Sequence, residues 1–284
     1  MAVTQTGRQV LNADGADGAS PVDVATGCGD GDLVLRQFSV DGYHILRLNR
    51  PAKKNALNLE MYQALEAGLR AGETDDTIAG HVLLGQAGVF CAGNDIADFA
   101  AAARREGLVE FTDSVLAFIR LLPRLRKPLI AGVDGLAVGI GTTLLFHCDL
   151  VFATERSRFS TPFVELGLVP EAGSSVLGPA RLGYVKAFEL LVSGRDVDTA
   201  WMVEAGCVNS VALPEDLDDV VCQAAKVLAD KPRGAMLAST ALMRSSRDEV
   251  IAQIEQEVEV FRERLNAPEA LAAFERFLVG SENG

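Results

Sequence analysis

The sequence predicts an α/β fold with a helical C-terminal part. Three short apolar segments, "HVLLG", "LIAGV" and "DLVFA", have the length and composition of buried strands. Each is followed by a Gly-rich or irregular loop and then by a helical pattern, and strands that alternate with helices are typical of α/β proteins. From about Asp198 onward helical patterns dominate, and "CVNSVA" is the remaining strand signal.

The composition allows a large core and argues against several classes of partner. Of the 284 residues, 49% are hydrophobic and 23% are charged, which suits one large domain or two small ones. The formal net charge of −13 argues against nucleic acid or an anionic membrane as the main partner. The apolar runs are interrupted by Gly and Asp, and the N-terminus lacks the basic-then-apolar order of a signal peptide, so we expect a cytoplasmic protein.

Cysteine and histidine spacing predicts neither a disulfide framework nor a metal centre. The five cysteines are an odd number without a C-x-x-C pair, and the three histidines lack metal-ligand spacing. We therefore expect reduced thiols and no structural metal.

Residues 1–32 are rich in Gly, Asp and Ala and lack hydrophobic periodicity, which predicts a disordered tail.

The core is predicted to span residues 33–197. It begins with two alternating segments joined by Asp41-Gly42, a strong β-hairpin signal, and Pro51 ends the second strand. Asn58 is the predicted N-cap of the next helix. The apolar residues of that helix recur every three or four positions, at Leu59, Tyr62, Leu65 and Leu69.

A second helix is predicted between the strands "HVLLG" and "LIAGV", because apolar residues again fall three or four apart. These residues are Leu108, Phe111, Val115, Phe118 and Leu122.

Residues 198–284 are predicted to form the helical C-terminal part. Its first long helix is expected to start near Pro214, and "RDEVIAQIEQEVEVFRERL" and "PEALAAFERFL" follow.

Two loops with small residues follow predicted strands. In "VFCAGND", Ala92 and Gly93 allow the backbone to approach a ligand closely, although a tight strand-to-loop turn is the simpler interpretation of this heptad taken alone. In the other loop, Gly139-Ile140-Gly141 lies at a helix N-terminus, where backbone N–H groups are free. Together the loops can point one N–H each at the same oxygen, as in an oxyanion hole. Asp95 is expected to fix its own loop through hydrogen bonds.

Five segments then carry a resemblance to a known family. They are "LNRPAKKNALN", "VFCAGNDIADF", "VDGLAVGIGTTLLFHCDLVFAT", "FSTPFVELGLVPEAGSS" and "RLNAPEALAAFERF". Their order and spacing resemble those of the crotonase superfamily, the enoyl-CoA hydratases and isomerases, over roughly residues 33–278. The resemblance implies a spiral of ββα units and C-terminal helices that pack in a trimer or a dimer of trimers. It also implies an acyl-CoA thioester substrate, with coenzyme A present only as part of that substrate and no separate cofactor.

The resemblance assigns expected roles to individual positions. It places the two oxyanion-hole N–H groups on Asn94 and Ile140. Lys53 and Lys54 are similar to the basic residues that meet the coenzyme A phosphates, although a solvated turn is an equally good interpretation of this pair. The wider set of expected substrate contacts consists of Ala56, Ala92, Gly93, Asp95, Gly139, Gly141, Thr143, Phe163 and Leu168.

The positions of the carboxylates distinguish hydration from isomerisation. Hydration of a 2-enoyl thioester needs two acid–base groups, and the resembled hydratases carry glutamates where this chain has Thr143 and Phe163. Glu171, in "LVPEAGSS", instead occupies the position of the single base in the peroxisomal type of Δ3,Δ2-enoyl-CoA isomerase. The resemblance therefore favours isomerisation with Glu171 as the base, in a site whose apolar wall includes Phe163 and Leu168 and raises the pKa of the glutamate.

Three other functions remain open from the sequence. They are a weak hydratase with a rearranged site, a dienoyl-CoA isomerase, and an acyl-CoA-binding relative without catalysis. The dienoyl-CoA isomerases tend to carry a second carboxylate at the position of Phe163, which argues against that reading. Glu165 is expected to be structural.

Overall fold

The computed structural model describes residues 24–26, 31–96, 108–244 and 246–282, without the side chains of 24–26, 108–111, 275 and 277–282. Its strands form two sheets. The first sheet has the order β1-β2-β3-β4-β6-β8-β11 and the second has the order β10-β9-β7-β5. The strands are β1 Val24–Thr26, β2 Val34–Ser39, β3 Tyr43–Leu48, β4 Gly80–Leu84, β5 Val89–Cys91, β6 Leu129–Val133, β7 Leu136–Val138, β8 Leu150–Thr154, β9 Arg158–Ser160, β10 Val197–Asp198 and β11 Ser210–Ala212.

The helices connect the strands and then form the C-terminal part. They are α1 Leu59–Thr74, α2 Leu108–Leu121, α3 Ile140–Thr143, α4 Ser174–Leu182, α5 Tyr184–Leu191, α6 Thr199–Glu204, α7 Leu217–Ala229, α8 Arg233–Met243, α9 Arg247–Leu265 and α10 Pro268–Glu282. Short 3-10 turns span Pro51–Lys53, Leu122–Arg124 and Leu144–His147. The predicted α/β organisation is therefore confirmed.

The predicted hairpin is present as β2 and β3, which pair in antiparallel register with Val34 opposite Leu48. Gly42 has φ +81° in the turn between them, which explains why glycine suits this position. The prediction of a disordered tail over residues 1–32 is wrong at Val24–Thr26, which pair with β2 as an antiparallel edge strand. Residues 1–23 and 27–30 lie outside the described residues.

A repeated ββα unit builds the centre of the molecule. In each repeat a longer strand lies in the first sheet and the next, shorter strand lies in the second sheet. The pairs are β4 with β5, β6 with β7, and β8 with β9, and the helices α2, α3 and α4 follow them in that order. Neighbouring repeats pair in parallel, so their loops emerge on the same side. This arrangement is what brings the two glycine loops together.

Local sequence signals explain several element ends. The side chain of Asn58 accepts a hydrogen bond from the Met61 backbone N–H at 3.0 Å, which confirms the predicted N-cap of α1. The helix that was expected to start near Pro214 begins at Leu217. The predicted apolar stripe of α2 includes Phe118, which is buried, while the side chains of Leu108 and Phe111 lie outside the described residues.

Two hydrophobic clusters hold these layers together. The larger one fills the space between the two sheets and the helices α1, α2, α4, α5 and α9, and the smaller one lies between the first sheet and α7. In the part of the chain that the structure describes, no helix is long and apolar enough to cross a membrane, and no three His, Cys, Asp or Glu side chains are grouped as a metal site would require.

Candidate active site

The first glycine loop follows β5 and is held in place by α1 and its preceding turn. The Leu57 N–H donates to the Gly93 carbonyl at 2.7 Å, and the Asp95 N–H donates to the Leu57 carbonyl at 2.9 Å. Because these bonds are made by the residues on either side of Asn94, the Asn94 N–H points away from Leu57. No acceptor for it lies within the described residues.

The second glycine loop begins α3. The N–H groups of Thr142 and Thr143 both donate to the Gly139 carbonyl, whereas the Ile140 N–H has no acceptor in the described part of the chain. The two loops touch closely, because a Cβ atom on Gly93 would lie 3.0 Å from the Val138 carbonyl oxygen and one on Gly141 would lie 2.6 Å from the Cys91 carbonyl oxygen. Small residues are therefore required at this contact, and Asn94 and Ile140, whose N–H groups have no acceptor among the described residues, line the same region.

That region is a cavity of about 300 Å³, which we call the oxyanion chamber. Its wall includes both loops and the segment after β9. The lining residues are Ala92, Gly93, Asn94, Ile96, Val138, Gly139, Ile140, Pro162, Phe163, Glu165, Leu166, Leu168, Phe261, Leu265 and Phe274.

A smaller cavity of about 60 Å³ adjoins it, and we call this the base chamber. It shares Asn94, Phe261 and Leu265 with the oxyanion chamber. The remaining lining residues come mainly from α2 and α9, and they are Thr112, Val115, Leu116, Ile119, Glu171, Ala172, Ile254, Glu257, Val258 and Arg262. Asn94, whose N–H has no acceptor among the described residues, therefore lines both the oxyanion chamber and the chamber that contains Glu171.

Glu171 lies in the base chamber and is only 8% exposed. Burial raises the pKa of its carboxyl group to about 8; the hydrogen bond from Thr143 opposes this rise, and the nearby charge of Glu257 adds to it. The Thr143 hydroxyl donates to Glu171 Oε1 at 2.5 Å. A carboxylate with a pKa close to neutral is suited to take up and return protons.

The apolar side chains near Glu171 line two adjoining chambers. Phe163 and Leu168 line the oxyanion chamber, whereas the side chains that enclose Glu171 come from α2 and α9. Phe163 and Leu168 thus contribute to the wall of the adjoining chamber, and their effect on the pKa of Glu171 stays a prediction. Both α2 and α9 are distant in sequence from Glu171, so no local pattern indicated them.

The other predicted contact residues divide into two groups. Ala92, Gly93 and Gly139 line the oxyanion chamber, but Gly141 and Thr143 support it from behind. Glu165, which was expected to be structural, is exposed and lines the oxyanion chamber.

The segment 50–56 lies behind the first loop. Lys53 and Lys54 are exposed, and the Lys54 carbonyl accepts from the Ala92 N–H at 3.0 Å, so this segment is fixed to the loop. Asp95 is buried and pairs with Arg50 Nη1 at 2.7 Å; the same guanidinium nitrogen donates to the Ala56 carbonyl. Neither Asp95, Ala56 nor the two lysines line either chamber.

Sequence reasoning missed three side chains that hold the site. The Tyr62 hydroxyl donates to Asn94 Oδ1 at 2.5 Å, His147 Nε2 donates to the Ala172 carbonyl at 2.6 Å, and the Glu257 carboxylate accepts from the turn after Glu171. A signal for Glu257 existed, because it lies on the apolar stripe of α9 with Ile254 and Phe261 at helical spacing. Tyr62 likewise lies on the apolar stripe of α1, whereas His147 carries no such signal.

Comparison with known proteins agrees with this geometry. The family model described as Enoyl-CoA hydratase/isomerase matches residues 41–278. The rat protein named Enoyl-CoA delta isomerase 2 is 34% identical over 247 residues, which are 84% of this chain and 62% of that protein's length. This chain therefore spans less than two thirds of that relative.

Two solved structures show the same fold. The enoyl-CoA hydratase/isomerase from Pseudoalteromonas atlantica superposes with a TM-score of 0.82 at 33% identity, covering 87% of this chain and 97% of the other. An enoyl-CoA hydratase from Mycobacterium marinum gives a TM-score of 0.71 at 32% identity, covering 75% of this chain and 99% of the other.

Relatives named as isomerase and as hydratase are similar to this chain at nearly the same identity, so identity alone does not choose the reaction. The chain belongs to the enoyl-CoA hydratase/isomerase family, an enzyme family of the crotonase superfamily, as its sequence motifs predict.

Proposed function

We propose that this enzyme converts 3-enoyl-CoA thioesters to trans-2-enoyl-CoA with Glu171 as its single acid–base group. The observation that carries the proposal is a buried glutamate, with a pKa raised to about 8, in a chamber that adjoins two free backbone N–H groups. Moving a double bond needs a proton taken from C2 and a proton returned to C4, and one carboxylate near both carbons performs both steps.

In this mechanism the thioester oxygen accepts hydrogen bonds from the N–H groups of Asn94 and Ile140. Glu171 removes a proton from C2, and the electrons of that C–H bond move into a dienolate whose negative charge lies on the thioester oxygen. The two N–H groups stabilise this charge, by about 3 kcal/mol for each donor. The protonated Glu171 then delivers the proton to C4, which leaves the conjugated product and restores the base.

Hydration is the second candidate, and the side chains argue against it. Thr143 has no carboxylate and donates its hydroxyl to Glu171, and Phe163 cannot transfer a proton. Glu257 is a second carboxylate on the base chamber, but its oxygens accept hydrogen bonds from Gly173 and Ser175. These bonds make it a poor partner for an attacking water.

The substrate's coenzyme A portion is proposed to pass Lys53 and Lys54. These exposed side chains lie on a segment that is hydrogen bonded to the oxyanion loop, and ammonium groups attract phosphates. No further cofactor is needed for proton transfer of this kind, so we expect activity to survive dialysis against a chelator.

Assembly into trimers, or dimers of trimers, is proposed from the family, and exposed apolar side chains support contact between chains. Tyr184, Val185 and Phe188 of α5 are exposed apolar side chains on neighbouring positions of one helix. Such a patch is typical of an interface between protein chains. A cytoplasmic location is also proposed, because four of the cysteines, Cys91, Cys148, Cys207 and Cys222, are buried free thiols.

The test is absorbance-monitored turnover of a 3-enoyl-CoA, in which the conjugated product is detected, together with hydration of a 2-enoyl-CoA. Glu171→Gln should reduce isomerisation by about 100-fold or more, since general acid–base catalysis contributes factors of this size. Glu255→Gln on α9 is the matched control, because Glu255 pairs with Arg120 outside both chambers. Fast hydration by the wild type would contradict the proposal, and silence in both assays would favour an acyl-CoA-binding protein.

A further inference from the structure

The turn that carries Glu171 has an unusual backbone. Ala172 has φ +59° and Gly173 has φ +71°, so two successive residues adopt the left-handed region, and one of them is not glycine. Such a conformation is unfavourable for alanine and persists only where the surroundings fix it. The position of Glu171 therefore depends on the groups that hold this turn.

Two side chains from distant elements hold it. On one side, His147 Nε2 donates to the Ala172 carbonyl at 2.6 Å. On the other side, one carboxylate oxygen of Glu257 accepts from the Gly173 N–H at 2.6 Å, and the second accepts from the Ser175 N–H at 3.0 Å and the Ser175 hydroxyl at 2.5 Å.

Glu257 is far from Glu171 in sequence and lies on α9, yet both side chains line the base chamber. Glu257 is only 6% exposed. A buried carboxylate is unfavourable unless hydrogen bonds satisfy it, and here three donors from the turn after Glu171 do so. An apolar residue would be the expected occupant of this face of α9, so the glutamate is an exception that binds the catalytic turn.

We propose that Glu257 is a positioning residue for Glu171, which fixes the turn that aims the Glu171 carboxylate at the substrate and places a second negative charge beside it. This inference rests on the proposed role of Glu171 as the base. It assigns no contact with the substrate to Glu257, because its oxygens are bonded to the protein.

Two consequences follow from this arrangement. Loss of the clamp should let the turn relax toward less strained backbone angles, and a displacement of the base by about 1 Å can reduce catalysis by about 100-fold. Burial raises the pKa of Glu257 as well, and the hydrogen bonds from Ser175 and Gly173 oppose that rise. Where Glu257 is ionised, loss of its charge should make the ionised form of Glu171 easier to reach, because two negative charges oppose each other in a poorly solvated chamber.

The other groups near Glu171 do not compensate for Glu257. Burial keeps the Tyr62 hydroxyl of α1 and the Cys91 thiol of β5 protonated, since it raises both pKa values, that of Cys91 to about 12. His147 is neutral above mildly acidic pH, because burial lowers its pKa to about 4. Arg262, on the wall of the base chamber, is the charged group of opposite sign.

The experiment compares Glu257→Gln with Glu257→Asp and with the control Glu255→Gln on the same helix. Glutamine keeps the size but removes the charge and turns an N–H donor toward the turn. Aspartate keeps the charge but is too short to reach all three donors. Thermal unfolding and circular dichroism identify the folded variants.

The first readout is steady-state isomerisation. Glu257→Gln and Glu257→Asp should lower kcat by about 10- to 100-fold with KM changed by less than about threefold, because the clamp affects the reacting geometry and not binding. The second readout is the infrared band of the protonated Glu171 carboxyl, identified by its loss in Glu171→Gln. Its titration midpoint should move to lower pH in Glu257→Gln and remain in place in Glu257→Asp.

Unchanged kcat in folded Glu257 variants, or an unmoved infrared midpoint in Glu257→Gln, would overturn the inference. If Glu257→Gln does not fold, Ser175→Ala removes one donor at the exposed end of the clamp, and a wild-type kcat in that variant would overturn the inference in the same way. The infrared titration needs no substrate. A wild type without isomerase activity would therefore contradict the proposed function, while the infrared result would still decide the relation between Glu257 and Glu171.

Discussion

The pH dependence of isomerisation is the most direct test of Glu171 as the base. Burial raises the pKa of its carboxyl group to about 8, and only the ionised form can take a proton from C2. The profile of kcat/KM reports the groups of the free enzyme, so its acid limb should have a slope of one and a midpoint near pH 8.

The size of the effect follows from the titration. With a pKa of about 8, about 1% of Glu171 is ionised at pH 6 and about 90% at pH 9, so kcat/KM should rise by about 90-fold across this range. An ordinary exposed glutamate is fully ionised at both values and would give a flat profile.

The assay is conjugation of a 3-enoyl-CoA at a substrate concentration well below KM, in buffers of constant ionic strength. Thermal unfolding at each pH separates titration of the base from loss of the fold. A stable enzyme whose acid limb lies near pH 4.5, or whose rate does not change between pH 6 and pH 9, would refute the assignment of Glu171 as a desolvated base.

Three further changes test the surroundings of the base. Thr143→Val removes a hydrogen bond that lowers the pKa of Glu171, so the acid limb of kcat/KM should move to higher pH and the rate at pH 7 should fall. Tyr62→Phe removes the donor to Asn94 Oδ1, worth about 1 kcal/mol, so kcat should fall about fivefold if this bond aims the oxyanion loop, and an unchanged kcat would exclude that role. Glu171→Gln should raise the free energy of unfolding relative to the wild type, and the difference should grow between about pH 4.5 and 8 to at most about 5 kcal/mol. The sign follows because the folded wild type holds the Glu171 proton more tightly than the unfolded chain does. The free energy of unfolding of the wild type therefore falls as the pH rises through this window. If denaturant melts show that the difference between Glu171→Gln and the wild type shrinks as the pH rises, the prediction is contradicted.

The features predicted correctly from the sequence are those determined by residues close in the chain. The Asp41-Gly42 hairpin, the Asn58 cap and the strand-loop-helix alternation each depend on a few neighbouring residues. The two oxyanion loops were also predicted as a pair. The two loops lie close together because each follows a strand, and parallel strands bring such loops to one edge, while their role as an oxyanion hole stays a prediction.

The enclosure of the base could not be predicted in this way. The side chains around Glu171 come mainly from α2 and α9. The orientation of those helices relative to the loops depends on packing across the whole core. Phe163 and Leu168 are close to Glu171 in sequence, but they line the adjoining chamber. The edge strand β1 was missed because three residues in a Gly- and Asp-rich segment form a strand only when β2 is present to pair with them.

The turn that contains Glu171 has two features that reduce the stability of the fold. A buried carboxylate and a positive φ at Ala172 are each unfavourable by themselves, and both lie in one turn. The bonds from His147 and Glu257 oppose this strain, and they originate in separate elements, the 3-10 turn after α3 and the helix α9. Strain that is balanced partly by contacts from distant elements is maintained while the whole core is intact. This explains how Glu171 can be both buried and fixed in place, and why the reactivity that we propose for it would depend on the folded chain and not on the "PEAG" segment.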